Sequence, residues 1–288
     1  MSRIQDILAK AERDGTAHRT QPASTMVGVG STATLSPAVD GSSALNPSPF
    51  RPEPVSQSVA AMAPAAMPSA TTLETRTARA TLHPALVAAI APHSVVAEQY
   101  RAIRTRITHG EETGPLRTIA VTSPGSRDGK SITAANLALT MAQEFQRNVL
   151  LVDADLRNPS VHSLFGVDGG PGLSEVLAGE ASLDEALMYL PDFRLTLLTA
   201  GRAPQFPTEL LGSTTMRRTM DTLRARFDRI LLDLPAVAPL ADVGTVAPLV
   251  DGAVMVVRAG VTQRPALDQA LGAFEENKVV GLVLNEAH

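Results

Sequence analysis

The 288-residue chain carries 25 Lys and Arg against 29 Asp and Glu, a net charge of −4, so no overall positive field draws it to nucleic acid. It contains no cysteine, which excludes disulfides and thiolate metal sites and fits a reducing, cytoplasmic setting. The N-terminus lacks the apolar region of a signal peptide. No stretch approaches the roughly 20 apolar residues of a membrane helix, so a membrane role would run through a partner.

In residues 1–13, Met1, Ile4, Leu8 and Ala11 recur at helical spacing with charges between them, which predicts a short amphipathic helix. From 14 to 92 the chain is rich in Ala, Ser, Thr and Pro without a sustained period. Such a segment buries too little apolar surface to offset its ordering entropy and reads as disordered linker.

From residue 93 onward the pattern is that of a folded domain, 93–288. Residues 95–107 read as a helix, 117–123 as a β-branched strand, and 131–145 as a helix of small residues suited to packing on a sheet. Residues 148–155 form a continuous apolar run ending in carboxylates. A strand without alternation implies that both of its faces are covered, as in a parallel sheet. Helical patterns follow over 174–179 and 183–190, then a strand over 194–201. A helix over 214–227 carries the stripe Met216, Met220, Leu223 and Phe227. Strands at 229–235 and 252–260, a helix at 264–277 and a last strand at 279–285 complete the alternation. The expectation is an α/β domain, a doubly wound and mostly parallel sheet with helices on both faces, which binds ligands at the carboxyl ends of its strands.

The stretch Ser123-Pro-Gly-Ser-Arg-Asp-Gly-Lys-Ser131 joins the first of these strands to its helix. The usual phosphate-loop spacing would put glycine at 124, where this chain has Pro124, but the strand–loop–helix context survives. Backbone N–H groups and the helix N-terminus would face an anion. The candidate cradle runs from Gly125 through Ser126, Arg127, Asp128, Gly129, Lys130 and Ser131 to Ile132. Lys130 would reach the β- and γ-phosphates of ATP, and the Ser131 hydroxyl would bind Mg²⁺.

Two further strand ends supply acids. Asp153 and Asp155 close one apolar run, with Arg157 just beyond, and Asp233 closes another. Magnesium between phosphates takes hard oxygen ligands, so Asp153 and Asp233 join Ser131 as metal candidates. Asp155 shares a face with Asp153 in an extended segment and is placed to help with the metal or orient a nucleophile. The catalytic candidates are Lys130, Asp153, Asp155 and Asp233.

With these motifs the chain resembles the bacterial tyrosine kinases of capsule and exopolysaccharide synthesis, over about residues 94–288. "LLVDADLR" and "ILLDLP" match the family's second and third nucleotide motifs, and "VTSPGSRDGKS" matches its phosphate loop loosely. Upstream, Glu98, Arg101 and Arg104 match the family's E-x-x-R-x-x-R oligomerisation motif. They span roughly a 120° arc of one helix face, which implies a head-to-tail, ring-forming homo-oligomer. By the same resemblance Asn285 contacts adenine, and Asp242 matches an aspartate downstream of the third motif, where a helix cap is the other reading. The implied reaction is transfer of the γ-phosphoryl group of Mg-ATP to tyrosine, with Asp155 orienting or deprotonating the phenol.

The chain departs from the family at three points. Arg127 stands where the family has Gly, and Ala236 where it has a second Pro. The C-terminal tyrosine cluster has no counterpart, since the chain has only Tyr100 and Tyr189. Tail autophosphorylation is therefore not expected, and both tyrosines read as packing residues. A separate membrane polysaccharide co-polymerase is implied as activator, recruiting the chain to the inner face of the membrane. Two other readings stay open: a catalytically weak, ATP-dependent scaffold of the same fold, and an ATPase like those that position the septum or partition chromosomes.

Overall fold

The computed structural model describes residues 76–109, 116–144, 146–238, 241–275 and 278–285. The expected helix over 1–13 and most of the expected linker lie outside these residues. Eight strands form one sheet: β1 (Arg76–Thr77), β2 (Thr118–Thr122), β3 (Val149–Asp153), β4 (Leu187–Leu190), β5 (Leu195–Leu198), β6 (Arg229–Asp233), β7 (Gly252–Arg258) and β8 (Val279–Asn285). Their order is β1-β4-β5-β3-β6-β2-β7-β8. Every pairing is parallel except β4 with β5. The helices are α1 (Val87–Ile90), α2 (Val95–His109), α3 (Lys130–Ala142), α4 (Val161–Phe165), α5 (Leu173–Ala178), α6 (Leu183–Ala186), α7 (Pro207–Leu211), α8 (Thr214–Arg226), α9 (Asp242–Val246) and α10 (Arg264–Leu271).

The unbroken apolar strands are explained by two cores, one on each face of the sheet. Leu150 and Val152 of β3, with Ile230 and Leu232 of β6, point into a core shared with Met216, Met220 and Leu223 of α8 and with Ala270 and Leu271 of α10. Val149 and Leu151, with Leu231 and with Ile119 and Val121 of β2, point into the other core. That second core is built around α3, whose residues Thr133 to Ala142 are all buried. Alanine, threonine and asparagine let this helix approach both the sheet and the outer helices α1 and α2, where larger side chains would hold them apart.

Two expectations need correction. Residues 187–190 continue the helical pattern of 183–186 in sequence, but they form β4, antiparallel to β5. A four-residue apolar run fits a buried strand as well as a helix turn, and an open sheet edge beside β5 decides it. The expected linker also ends too late. Residues 76–92 belong to the domain: β1 pairs with β4, Thr81 and His83 donate to the Phe165 and Leu164 carbonyls at 2.9 and 2.8 Å, and Leu86 is fully buried. Asn136 holds this segment to α3. It accepts from the Ala88 amide at 2.9 Å and donates to the Ala85 carbonyl at 2.9 Å.

Candidate functional site

The phosphate-loop strand β2 lies between β6 and β7, where the chain's path across the sheet reverses, and the loop leaves its carboxyl end. Within the loop the Ser123 hydroxyl donates to the Gly125 carbonyl at 2.6 Å, and the Gly125 amide donates to Asp128 Oδ2 at 2.9 Å. Arg127 sits in left-handed backbone at φ 65° with its side chain exposed. That conformation accounts for the glycine the family places there, because a Cβ is disfavoured in it. Gly129, at φ 95°, heads α3 with no side-chain cap, so the first N–H groups of the helix are left for an anion. Asn285, at the end of β8, donates through Nδ2 to the Asp128 carbonyl at 3.0 Å. A Cβ on Gly129 would lie 2.2 Å from that nitrogen. The amide is thereby oriented, with Oδ1 left as an acceptor. Ser126 is exposed, as is Ile132 at the start of α3.

Behind the loop the acids converge on Lys130. Its Nζ is 2.8 Å from Asp155 Oδ2, 3.2 Å from Ser131 Oγ and 3.9 Å from Asp233 Oδ1. Burial works against the ammonium, but the charges of Asp233 and Asp155 outweigh it, and the Lys130 pKa is raised. Asp153 and Asp233 are register partners on adjacent strands, yet their surroundings differ. Asp153 Oδ2 accepts from the Ser160 and Val161 amides, each at 3.0 Å, and Oδ1 accepts from the Asp155 amide at 3.2 Å. These bonds head α4 and fix the loop after β3. Burial raises Asp153 to about 6, against the pull of those amides. Asp233 is fully buried, and neither oxygen meets a donor in hydrogen-bonding geometry. Burial pushes it to about 7, although Lys130 and the nearby Ser131 hydroxyl act the other way.

A buried carboxylate with both oxygens unanswered, beside a hydroxyl and an ammonium, fits a cation that arrives with its own phosphate and water ligands. Among the described residues no group of three or more His, Cys, Asp or Glu is arranged to hold an ion. Magnesium matches that balance, since it usually keeps waters and substrate phosphates among its six oxygens.

Arg157 turns away from these acids. It makes a forked pair with Asp242 at 2.7 and 3.2 Å and reaches Thr208 at 3.0 Å, and Thr208 also donates to Asp242. Burial would raise Asp242, but the Arg157 bond lowers it below the ordinary carboxylate value. This clamp ties the loop after β3 to α7 and α9. Sequence reasoning noted Arg157 and Asp242 separately and missed the pair, because nothing local joins residues so far apart. The arginines of the E-x-x-R-x-x-R helix also have partners within the chain. Arg101 bonds Glu98 and the Pro92 carbonyl. Arg104 donates to the Thr140 carbonyl at 2.7 Å and pairs with Glu144 at 3.3 Å, at the C-terminal end of α3. Glu98 stays largely exposed. Tyr100, on the same helix, is half-buried against α3. Burial raises its phenol, while the Thr133 and Asn136 side chains pull the other way.

A mostly parallel sheet whose phosphate loop, lysine and acidic strand ends share one rim has the fold of the P-loop nucleotide-binding proteins. The chain is 35% identical over 202 residues to the tyrosine-protein kinase YwqD of Bacillus subtilis, a match covering 69% of this chain and 85% of that protein. It is 34% identical over 201 residues to the succinoglycan biosynthesis transport protein ExoP of Rhizobium meliloti, covering 68% of this chain and 25% of ExoP. The kinase domain of the Escherichia coli tyrosine kinase ETK superposes with a TM-score of 0.67 at 27% identity, over 70% of this chain and 80% of that domain. No family model matches the chain. These relatives make the particular assignment: the chain belongs to the bacterial tyrosine-protein kinases of capsule and exopolysaccharide synthesis. Among the described residues no helix is long and apolar enough to cross a membrane.

Proposed function

We propose that this chain binds Mg-ATP at the loop 125–132 and transfers the γ-phosphoryl group to a protein tyrosine, in the control of capsule or exopolysaccharide synthesis. The observation that carries this is the meeting of Lys130, Ser131, Asp155 and the unanswered Asp233 on one rim. The uncapped head of α3 and the loop amides receive the phosphates. Lys130, held by Asp155 at 2.8 Å, turns to the β- and γ-phosphates, and this exchange frees Asp155. The phenol, with an ordinary pKa near 10, then has a carboxylate within the site to orient it and accept its proton. The phenol oxygen bonds to the γ-phosphorus as the bond to the β-phosphate oxygen breaks. ADP leaves, and the proton passes to Asp155. Ser131 and Asp233, with Asp153 in the same acidic wall, would hold Mg²⁺. When bound, that ion would supply neutralisation of phosphate charge. Asn285 Oδ1 suits the amino group of adenine, because Nδ2 is committed to Asp128.

The same reading gives the chain two protein partners. One is a separate membrane co-polymerase that activates it and brings it to the inner face of the membrane; the match to one quarter of ExoP supports such an association. The other is a second copy of the chain, met through Glu98 and its neighbours on α2. The deciding experiment incubates purified chain with Mg-ATP and a cytoplasmic fragment of the co-polymerase and looks for phosphotyrosine by mass spectrometry. ADP without phosphotyrosine would overturn kinase activity in favour of a scaffold or positioning ATPase.

A further inference from the structure

Asp233 has a counterpart of opposite charge across the phosphate-loop strand. β6 and β7 flank β2; β6 ends in Asp233 and β7 ends in Arg258. The Arg258 Nε is buried and has no hydrogen-bond partner. None of the ion pairs among the described residues includes it. Arg104, Arg157 and Arg202 show the usual arrangement, each guanidinium bonded to a carbonyl or carboxylate. Enclosing a guanidinium N–H with no acceptor is unfavourable. Such a group marks a place where an acceptor is expected to arrive.

Its position says which part of a ligand that is. Val254 and Val256 of β7 point into the core built on α3, and the two-residue period puts Arg258 on the same face. Its register partner is Asn285, whose amide touches the Asp128 carbonyl at the base of the loop. Lys130 and the acids lie on the β3–β6 side of the loop, so Arg258 stands at the opposite end from the phosphate-reactive groups. The main chain holds it there. Its amide donates to Thr262 Oγ1 at 2.9 Å, its carbonyl accepts from the Thr262 amide at 3.0 Å, and the Ala259 amide donates to the Asn285 carbonyl at 2.9 Å.

We infer that Arg258 holds the base of the bound nucleotide, its guanidinium donating to a purine ring nitrogen beside Asn285. A purine offers in-plane nitrogen acceptors, and its π face tolerates a guanidinium lying against it. This inference rests on the nucleotide reading above and adds a second purine contact to it.

The test compares Arg258→Ala and Arg258→Gln with the wild-type chain. Affinities for Mg-ATP and for magnesium tripolyphosphate, which has no base, are measured by calorimetry, and a thermal melt checks that each variant is folded. The expected result is Mg-ATP binding weakened by roughly tenfold in any folded variant, with tripolyphosphate binding unchanged within about twofold. Equal weakening for both ligands would assign Arg258 to the phosphates and overturn the inference, as would unchanged ATP binding in a folded variant. A wild-type chain that binds neither ligand would instead overturn the nucleotide reading, and this inference with it.

Discussion

Two buried carboxylates on the carboxyl side of the sheet, Asp233 at the end of β6 and Glu175 in α5, are treated in opposite ways. Glu175 accepts from the Gly172 amide at 2.8 Å, the Ser174 hydroxyl at 3.1 Å, and the Arg202 amide and Nε at 3.0 Å each. Burial alone would raise it, but these bonds win, and its pKa falls to about 2. Asp233 has no such bonds and rises to about 7. A carboxylate surrounded by donors is a fastening: it joins the start of α5 to the loop after β5. One that is enclosed and left without donors weakens the empty protein and is available to a ligand. On the proposed function, the difference separates an acid that serves the fold from one that serves chemistry.

The most severe way to break this comparison is Lys130→Met. If the rim is the triphosphate site, Mg-ATP affinity falls by roughly 100-fold or more, since both the phosphate contact and the charge facing Asp155 and Asp233 are lost. Unchanged binding in calorimetry would remove the basis for reading Asp233 as functional.

Asp233→Asn should lower phosphotyrosine formation by roughly 100-fold yet stabilise the metal-free protein at pH 8 by about 2 kcal/mol. Its folded pKa lies above the ordinary 3.8. Between about 4 and about 7 the native state therefore holds more proton than the unfolded one, and stability falls as pH rises through that window. Urea melts in EDTA from pH 5 to pH 8 should show this slope in the wild type and a flatter one in the variant.

Glu175→Gln should do the reverse, costing about 2 kcal/mol of stability while Mg-ATP affinity stays within about twofold. Its depressed pKa makes the contribution fully present above 4.5, and it is lost as pH falls toward about 2. The melting curves of variant and wild type should therefore converge in acid.

Two smaller changes sharpen the picture. Arg104→Ala removes the bond to the Thr140 carbonyl and should cost about 1 kcal/mol in a denaturant melt. A loss of self-association by light scattering, with no stability change, would show that Arg104 serves the oligomer alone. Arg127→Gly relieves left-handed backbone at an exposed position and should raise the unfolding free energy by about 0.5 kcal/mol. A drop would mean that the Arg127 side chain contributes to the loop.

Much of this could be read from the chain. The apolar run over 148–155 announced a strand covered on both faces, and the two cores bear that out. The stripe Met216, Met220, Leu223 and Phe227 is buried as expected. Glu175 carries a local signal of its own, a glutamate three residues after the residue that heads a helix. Asn136, a lone amide among the small and apolar residues 132–142 of its helix, is a second such signal.

By itself the sequence determined the alternation of strands and helices, the position of the phosphate loop, and which acids end the central strands. All of these are local, set by side-chain period, loop composition and the place where an apolar run stops. Only the tertiary structure decided that residues 187–190 pair as a strand, that 76–92 join the domain, and that Arg157 is tied to Asp242. It alone decided that the Asp233 oxygens and the Arg258 Nε are buried without a hydrogen bond while the Glu175 carboxylate accepts four. Whether a polar group is bonded or orphaned depends on which distant segments surround it, and no spacing along the chain records that.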